Sequence, residues 1–396
     1  MNVISTILLN GLIVAISFYV YKSYSALNII DLTELNKCPF CYGKSACPSL
    51  FNGNIKLNSS TSNIFYNLVN LVVNGKNVFY GSYKQQSAVY KDIVVKKLAN
   101  NDELNNFDNY IRTHFGVHSN FQKMEKDFKT EIGKFLTMST EKAEVKLKLC
   151  PDPHAFDVLL NGRKGLSSED YIHFYTMLYV NPEPILLEIL NASHGWPVPQ
   201  YYGSCGRLAI IENCGTRLSS LLDTDWCERV KLAADVLHMA YNLTYGHDRL
   251  SVYLTDVSLD NLVVSEDGSV KIVDLEHTIV VDRHPSTTDL PESWFTPHYT
   301  YHQPCDQCFA YSAEDVCAHR ISDHNFYAVC KEVLSNDTSL GSRPLLHSPP
   351  PSLQGETSLL SSLIEACVDP PPGVLRKQLA SQITETIEIA LLDKCR

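Results

Sequence analysis

The sequence predicts an α+β fold in which a smaller, β-rich part precedes a larger, mainly helical part. Three observations support this prediction. Short β-branched runs broken by turn residues follow Tyr66, capped helical patterns begin at Ser167, and helical patterns dominate from Asp323 onward. With 396 residues, of which 44% are hydrophobic, the chain can build a large core. Its net charge is −11, and the sequence contains no long run of basic residues. We therefore expect no nucleic-acid partner.

Residues 3–20 form an uncharged, apolar segment near the start of the sequence. As a helix this segment would be about 27 Å long, which is close to the thickness of a hydrocarbon core and longer than most cleaved signal sequences. A cleavage after Ala26 would place the bulky Tyr24 where a small residue is preferred. We therefore expect residues 1–26 to be a signal peptide or an uncleaved signal anchor, and a buried core helix is the third interpretation.

Four N-x-Ser/Thr sequons also favour the secretory pathway. The glycosylation candidates are Asn58, Asn191 and Asn336, whereas Asn242 falls in a predicted helix that disfavours a glycan. We expect the chain to reside in the lumen of the endoplasmic reticulum or Golgi, anchored to the membrane or secreted. The expected partners are a lumenal or extracellular protein and, if the N-terminal segment is uncleaved, the membrane.

The chain has 13 cysteines, many of them in two clusters. The first cluster has the spacing C-x2-C-x5-C and lies after the apolar segment, and the second lies between residues 305 and 330. Such spacing suits zinc in a reducing compartment, but in an oxidising lumen it favours disulfides. Disulfides are the prediction and zinc is the alternative. The disulfide candidates are Cys38, Cys41, Cys47, Cys150, Cys205, Cys305, Cys308, Cys317, Cys330 and Cys367.

In chain order, residues 27–62 form a cysteine-bearing lead, and strand patterns follow. Apolar runs at 68–73, 77–80 and 92–98 predict an antiparallel meander with a turn at Asn74-Gly75 and a loop over 82–88. Residues 100–165 are polar and mixed in charge, and they contain a predicted helix around 120–136. We therefore expect the strands to precede an irregular insertion.

Helix signals dominate the second half of the sequence. A helix start at Ser167 precedes a helix over 171–179, and a second helix is predicted over 183–190 with Pro184 in its first turn. Residues 208–212 read as a buried strand. Asp225 caps a long helix that stops at Gly246. Strands resume after Tyr253, and the helical remainder is interrupted by triple prolines at 349–351 and 370–372.

Residues 251–281 have the pattern that carries chemistry. Asp256 is followed five residues later by Asn261, and a hairpin that turns at 266–269 returns the chain to Asp274. One carboxylate beside an attacking hydroxyl, with an amide oxygen and a second carboxylate on metal ions, is what phosphoryl transfer needs. The alternative is a surface hairpin with ordinary turn residues.

This segment resembles the protein kinase superfamily, whose catalytic loop H-R-D-L-x-x-x-N is matched at residues 254–261. The step from Asn261 to Asp274 is also similar to the distance that leads to the D-F-G aspartate. The resemblance implies that Asp256 is the catalytic base and that Asn261 and Asp274 are metal ligands. For an active enzyme it also implies ATP with Mg²⁺ or Mn²⁺ as the cofactors.

Upstream, residues 94–96 resemble the V-A-I-K strand, so Lys96 is the candidate that holds the nucleotide phosphates, with Lys97 as its rival. Glu183 is the candidate for the glutamate that pairs with this lysine, and Glu188 is the alternative. Glu212 would lie at the hinge that contacts the nucleotide.

Three departures from the kinase pattern stand beside these matches. No G-x-G-x-x-G precedes Lys96, Leu254 and Thr255 replace the His and Arg of H-R-D, and residues 274–276 read Asp-Leu-Glu in place of D-F-G. The glutamate, Glu276, would put an extra carboxylate near the metal, where it would recruit a further cation or block the nucleotide.

At finer grain the chain resembles branch 2 of the divergent protein kinase domain family, which includes the deleted-in-autism-related proteins. The resemblance rests on six segments in order: CPFCYG at 38–43, NPEP at 181–184, GSCGR at 203–207, DVSLDN at 256–261, DHNFYAVC at 323–330 and LLH at 345–347. It implies a bilobal protein-kinase-like fold in the secretory pathway, stapled by disulfides. Residues 63–214 would form a β-rich N-lobe with an insertion at about 100–165, and residues 215–396 a helical C-lobe with the second cysteine cluster.

The implied function is transfer of phosphate from ATP to a lumenal or secreted protein. The alternative is an inactive pseudokinase that acts as a secreted or membrane-tethered signalling ligand or trafficking adaptor.

Overall fold

The structure is a computed structural model, and it describes residues 29–58, 77–85, 89–115, 130, 132, 146–151, 166–287, 289–303, 309–339, 341 and 343–391. These residues fall into two compact units. The first unit draws on Met1–Phe128, Leu166–Ile185 and Tyr201–Asn213. The second draws on Lys129–Gly165, Leu186–Gln200 and Cys214–Arg396.

The described strands are β1 (Ile55–Leu57), β2 (Asn77–Lys84), β3 (Tyr90–Lys97), β4 (Leu147–Cys150), β5 (Tyr201–Cys205), β6 (Leu208–Glu212), β7 (Thr216–Arg217), β8 (Leu250–Leu254), β9 (Leu262–Val264), β10 (Val270–Ile272) and β11 (Thr278–Asp282). The described α-helices are α1 (Ile29–Leu32), α2 (Cys47–Phe51), α3 (Asn101–Phe115), α4 (Ser168–Val180), α5 (Glu183–Ile189), α6 (Trp226–Tyr245), α7 (Ala313–Cys317), α8 (His324–Val329), α9 (Gln354–Val368) and α10 (Arg376–Glu385). Short 3₁₀ turns lie at Leu35–Lys37, Ala192–His194, Leu218–Leu221, Glu292–Phe295 and Pro351–Leu353, and π-helical turns follow α8 and α10 at Cys330–Leu334 and Thr386–Leu391.

The first unit is built on a five-stranded antiparallel sheet in the order β1-β2-β3-β6-β5. The predicted strands at 77–80 and 92–98 are confirmed as parts of β2 and β3. The loop predicted from Ser82 begins later, because cross-strand pairing continues as far as Lys84 opposite Tyr90. The predicted strand at 68–73 and its turn lie outside the described residues.

The cysteine-bearing lead is an integral part of this first unit. The Ala46 amide donates to the Ser204 carbonyl, and the Arg207 amide donates to the Thr33 carbonyl. The lead is therefore hydrogen-bonded to both sides of the β5–β6 turn. Gly206 lies in that turn with φ +62°, where a Cβ would overlap the Thr33 carbonyl. Only glycine permits this close approach. The lead then contributes Leu32, Ala46 and Leu50 to a core shared with β2, β3 and β6.

One helix of the first unit begins where its capping residue predicts. Ser167 and Asp170 form a reciprocal capping box, which confirms the predicted helix start at Ser167, and α4 includes the predicted range 171–179. The sequence did not predict α3, which packs against α4 through Phe107 and Tyr179, with ring centroids 5.2 Å apart. The helix predicted around 120–136 lies outside the described residues except for residues 130 and 132, which are helical.

The second unit contains two small sheets, β4-β11-β8 and β10-β9-β7. In the first of these, β11 pairs parallel with β4 and antiparallel with β8. The sequence assigned residues near 150 to an insertion of the N-lobe, but β4 belongs to the second unit because it pairs with β11. In the second sheet, β9 and β10 form the predicted hairpin, whose turn is closed by Asp267 and contains Gly268 at φ +84°.

Helices complete the second unit, as the sequence predicts. Asp225 caps α6 by accepting from the Cys227 amide, and the Gly246 amide closes its end on the Asn242 carbonyl. At the other end of the chain Arg376 is fully buried, where it forms an ion pair with Asp323 and donates to the backbone carbonyls of Thr300, Cys367 and Val368. This single side chain therefore ties α10 to the start of α8 and to the end of α9. The predicted α+β fold is confirmed.

Four disulfides staple the described residues. They are Cys38–Cys41, Cys47–Cys205, Cys150–Cys317 and Cys330–Cys367. The disulfide prediction is therefore confirmed for these eight cysteines, whereas Cys305 and Cys308 lie outside the described residues. Cys227 is also disulfide-bonded, although it was not among the predicted candidates, and Cys214 is a buried thiol.

Within the part of the chain that the structure describes, no helix is both long enough and apolar enough to cross a membrane. The apolar segment at 3–20 lies outside that part. Of the predicted glycosylation candidates, Asn58 and Asn336 are exposed and Asn191 is half-buried. Asn242 is exposed on α6, so the structure leaves its side chain open to solvent.

Candidate functional site

The first unit brings Lys96 and Glu183 together. Lys96 lies on β3 opposite Val78 on β2 and Ala209 on β6, and its Nζ is 2.7 Å from Glu183 Oε1. The two side chains are only 15% and 2% exposed, so this is a buried ion pair. The structure thus selects Glu183 over its rival Glu188, which is exposed, as the partner of Lys96.

Strand alternation gives the two neighbouring lysines different partners. Lys97 points to the opposite face of β3 and forms an ion pair with Glu34 of the lead. Glu34 also accepts from Arg207, at 3.1 Å, and Arg207 pairs with Asp108 of α3. Burial raises the pKa of Asp108, but hydrogen bonds from Arg207 and Lys37 outweigh it and hold that pKa below its ordinary value. Lys97 therefore anchors β3 to the lead, while Lys96 faces Glu183.

Asn181 positions Glu183. The side-chain oxygen of Asn181 accepts from the Glu183 amide at 2.9 Å, and its nitrogen donates to the Leu98 carbonyl at 3.3 Å. Asn181 is 1% exposed. One buried amide therefore caps the start of α5 and binds the backbone just after Lys96, so that both members of the ion pair are held from the same point.

Glu212 is the last residue of β6. It lies opposite Ile93 of β3, and the following residue, Asn213, donates its amide to the Asp92 carbonyl. Glu212 and Lys96 therefore lie on neighbouring strands of one sheet, three positions apart along β3. The side chain of Glu212 is half-buried.

The second unit brings Asp256, Asn261 and Asp274 to one end of the β9–β10 hairpin. The Asn261 side-chain nitrogen lies 3.4 Å from both the Asp256 carbonyl and Asp256 Oδ2. The Val273 amide donates to the Asn261 carbonyl at 2.9 Å, which places Asp274 next to Asn261 along the hairpin. Asp256 is exposed, and the other two side chains are half-buried. The spacing in the sequence therefore leads to a spatial cluster.

Helix α8 holds the strand that leads to Asp256. Asn325 accepts from the Leu254 amide at 3.0 Å and donates to the Val252 carbonyl at 2.7 Å. His324 Nε2 lies 2.9 Å from the Leu254 carbonyl and therefore acts as the donor. Burial lowers the pKa of His324 to about 4, which keeps the ring neutral at pH 7. Leu254, which replaces the His of H-R-D, is thus anchored through its backbone amide and carbonyl by buried side chains of α8.

Glu276 forms a buried ion pair in the second unit. It is 5% exposed, and its Oε1 lies 2.5 Å from Lys146 Nζ at the start of β4. The Thr278 amide donates to the Lys146 carbonyl, so the β4–β11 pairing itself brings this lysine to the Asp-Leu-Glu motif. Lys146 thus neutralises the extra carboxylate, and the expectation that Glu276 recruits a further cation or blocks the nucleotide stays a prediction.

The donor atoms at Asn261 and Asp274 suit a hard divalent cation. Asn261 turns its nitrogen toward Asp256, which leaves its amide oxygen for a cation, and Asp274 supplies a carboxylate. In the described part of the chain no three His, Cys, Asp or Glu side chains are grouped around a common point. Mg²⁺ usually binds through one or two carboxylates together with substrate phosphates, so a complete protein cage is not required.

Comparisons with known proteins agree with this arrangement. A family model described as the protein-kinase domain of FAM69 matches residues 174–370, a range that includes Glu183, Asp256, Asn261 and Asp274. The chain is 28% identical to Divergent protein kinase domain 2A of Xenopus tropicalis over 402 aligned residues. This alignment covers 95% of this chain and 92% of that protein.

Two human proteins extend the comparison. The chain is 29% identical to Divergent protein kinase domain 2A of Homo sapiens, over 89% of this chain and 86% of that protein. It is 24% identical to Divergent protein kinase domain 2B of Homo sapiens, over 64% and 62% of the two chains. The chain belongs to the divergent protein kinase domain family. The resemblance inferred from the sequence is therefore confirmed, and the fold is kinase-like.

Sequence reasoning did not give roles to several residues that support the site in this divergent kinase domain. Asn181 and Asn325 lie within segments that carried the family resemblance, so their position in those segments was the available signal. Lys146 had no local signal, because its partner lies 130 positions away along the chain. Tyr311 is also near the 254–261 segment: burial raises the pKa of its phenol, a hydrogen bond with Thr255 lowers that pKa, and the charge of Asp256 raises it.

Proposed function

We propose that this divergent kinase domain protein transfers phosphate from ATP to a hydroxyl group of a lumenal or extracellular protein. The observation that carries the proposal is the buried Lys96–Glu183 ion pair at 2.7 Å. Active protein kinases need a lysine on the third strand paired with a glutamate on the following helix. Lys96 lies on β3, and Glu183 begins a helix that is capped against the end of β3.

The candidate residues of each unit would have a role of their own. In the first unit, Lys96 would hold the α- and β-phosphates of ATP, oriented by Glu183. In the second unit, Asp256 would accept the proton of the attacking hydroxyl, and Asn261 and Asp274 would hold Mg²⁺ or Mn²⁺. A bound divalent cation supplies charge neutralisation for the phosphates. Asp256 is exposed, which suits a base that must reach a protein substrate.

Two features support a lumenal location. The described residues contain four disulfides, which persist mainly in oxidising compartments. Two of the sequon asparagines, Asn58 and Asn336, are exposed and thus accessible for glycosylation. The apolar segment at 3–20 would direct the chain into the secretory pathway, either as a cleaved signal or as a membrane anchor.

The test uses the full disulfide-bonded chain, purified from a secretory expression host, with labelled ATP and either Mg²⁺ or Mn²⁺. The variants are Asp256→Ala and Asp274→Ala, and Asp267→Ala is the matched control because it lies exposed at the tip of the same hairpin. We expect the wild type and the control to incorporate label into themselves or into secreted acceptor proteins. The two site variants should be reduced at least about 100-fold. Equal incorporation by all four proteins would exclude the proposal.

The alternative is a pseudokinase that acts as a secreted or membrane-tethered ligand or trafficking adaptor. The observation that favours it is Glu276, which replaces the flexible glycine of D-F-G with a buried side chain held by Lys146. Thermal unfolding with and without ATP and cation separates the two functions. A ligand at about 100 times its dissociation constant adds roughly 2.7 kcal/mol of stability. A shift that disappears in Lys96→Met favours the kinase, and no shift favours the pseudokinase.

A further inference from the structure

Arg249 lies just before β8 and Arg283 just after β11, and the two arginines differ in how the Nε–Nη2 edge of the guanidinium is used. Arg249 donates from Nε to Asp282 Oδ1 at 3.1 Å and from Nη2 to Asp282 Oδ2 at 3.0 Å. This two-pronged contact is the usual way in which a guanidinium binds a carboxylate or a phosphate. The residue that follows Asp282 is Arg283, whose amide donates to the Arg249 carbonyl at 2.7 Å.

In Arg283 the corresponding edge lacks an acceptor. Its Nε and Nη2 atoms are buried, and neither has a hydrogen-bond acceptor among the residues that the structure describes. These are the same two atoms that Arg249 uses to bind Asp282. Buried donors of a charged group are costly when they lack an acceptor. Arg283 thus presents a preformed bidentate edge from which the acceptor is missing.

The charges around Arg283 also favour an anion. The groups that act on it are the cation of Arg320, the carboxylate of Asp248 and the phenols of Tyr245 and Tyr253. Asp248 and Arg320 are both exposed, and their charges act on Arg283 in opposite directions. Together they therefore leave the positive charge of Arg283 without compensation. Burial lowers the pKa of Arg283, but a guanidinium remains protonated in proteins. An oxyanion would therefore provide both the missing charge and the missing acceptors.

We propose that the Nε–Nη2 edge of Arg283 is a binding site for an oxyanion of the phosphate or carboxylate class, with Arg320 as a second cation at its rim. The site is built entirely within the second unit. It does not depend on the proposed function, since none of its residues belongs to the kinase motifs. Arg283 as a whole is half-buried, so part of its side chain contacts solvent although Nε and Nη2 themselves are covered.

The test compares thermal unfolding of the full chain in sodium phosphate, O-phosphoserine, sodium acetate and sodium chloride at equal ionic strength. The variants are Arg283→Gln, which removes the charge, and Arg283→Lys, which keeps the charge but not the bidentate edge. Arg217→Gln is the matched control because Arg217 is an exposed arginine of the same unit. Lys96→Met is added so that phosphate bound at Lys96 is distinguished from phosphate bound at Arg283.

We expect phosphate, or acetate if the site prefers carboxylates, to stabilise the wild type, Arg217→Gln and Lys96→Met above the level in chloride. Arg283→Gln should lose this stabilisation, and Arg283→Lys should bind about tenfold more weakly because one strong charge-assisted bond is lost. If Arg283→Gln does not fold, Arg283→Lys alone decides the question. Stabilisation that is equal in the wild type and in the foldable Arg283 variants, or no greater than in chloride, overturns the proposal. A response to O-phosphoserine but not to free phosphate would assign the site to phosphorylated side chains.

Discussion

The Lys96–Glu183 pair of the first unit, here the lysine half, and the Asp256–Asp274 group of the second unit, here the aspartate half, balance their charges in opposite ways. In the first unit Lys96 and Glu183 neutralise each other in a buried pair. In the second unit Asp256 and Asp274 carry like charges, and neither forms an ion pair with any residue that the structure describes. Glu276 is neutralised by Lys146, but this pair leaves the other two carboxylates as they are.

The difference shows what each half requires before it can work. The lysine half is complete without a ligand, because its charges satisfy each other and Asn181 fixes their positions. The aspartate half has an excess of negative charge that a divalent cation would neutralise. It therefore depends on its buried support from α8 and β4 to keep the carboxylates in place. Changes in that support and in the ion pair should consequently have different effects.

The largest expected effect comes from the staple that holds β4. The Cys150–Cys317 disulfide closes a separation of 167 residues, whereas Cys38–Cys41 closes one of 3. Chain entropy predicts that the paired Cys150→Ser/Cys317→Ser substitution lowers the free energy of unfolding by about 5 kcal/mol, against about 2 kcal/mol for Cys38→Ser/Cys41→Ser. Urea unfolding under non-reducing conditions measures both. Equal losses would contradict the idea that the aspartate half depends on this long-range staple.

Removal of Lys96 should break the lysine half. Lys96→Met leaves Glu183 buried without a counter-charge, and we expect a loss of about 4 kcal/mol in unfolding free energy. Lys96→Met/Glu183→Gln should recover most of that loss because no buried charge remains. Lys97→Met is the control on the same strand, and its effect should be smaller because Glu34 is 24% exposed and also pairs with Arg207. If Lys97→Met is the more costly change, the ion pair is not the main support of this half.

The pH dependence of stability tests the support from α8. Burial lowers the pKa of His324 to about 4, below the value of about 6.5 in an unfolded chain. Between these values the unfolded chain binds a proton that the folded chain does not, so stability falls as the pH falls from 6.5 to 4. The expected loss is about 3 kcal/mol, and it is absent above pH 6.5.

The control for this prediction is His324→Gln, which keeps a donor for the Leu254 carbonyl and cannot titrate. Its stability at neutral pH is expected to be lower than that of the wild type, but its decline with acid should be shallower by up to about 1.4 kcal/mol per pH unit. Denaturant unfolding at a series of pH values provides the comparison. Parallel curves for the two proteins would show that His324 is not the group that titrates.

The smallest expected effect concerns the pair that replaces the D-F-G glycine. Lys146→Met should cost about 2 kcal/mol, since it leaves Glu276 buried although Lys146 itself is partly exposed. The neighbouring pair Lys148–Glu314 offers a matched control, because Glu314 is 58% exposed and Lys148→Met should cost about 0.5 kcal/mol. A double-mutant cycle with Glu276→Gln isolates the Lys146–Glu276 coupling, expected at about 1 kcal/mol or more. Coupling near zero would mean that Glu276 is balanced by other groups.

The sequence by itself determined the features that depend on near neighbours. The spacing of Asp256, Asn261 and Asp274 predicted their cluster, because a hairpin with a tight turn returns the chain to its starting end. The starts of α4 and α6 were predicted from their capping residues, which act on amides two or three positions away. The family resemblance also came from short segments.

Only the tertiary structure decided which distant residues meet. The choice of Glu183 over Glu188 and of Lys96 over Lys97 follows from strand register and from the cap that Asn181 provides. The partners of Cys47, Cys150 and Cys330, and the arrival of Lys146 at Glu276, depend on packing between segments far apart in the chain. Such pairings have no local pattern, because their energy arises only when a whole sheet or helix is in place.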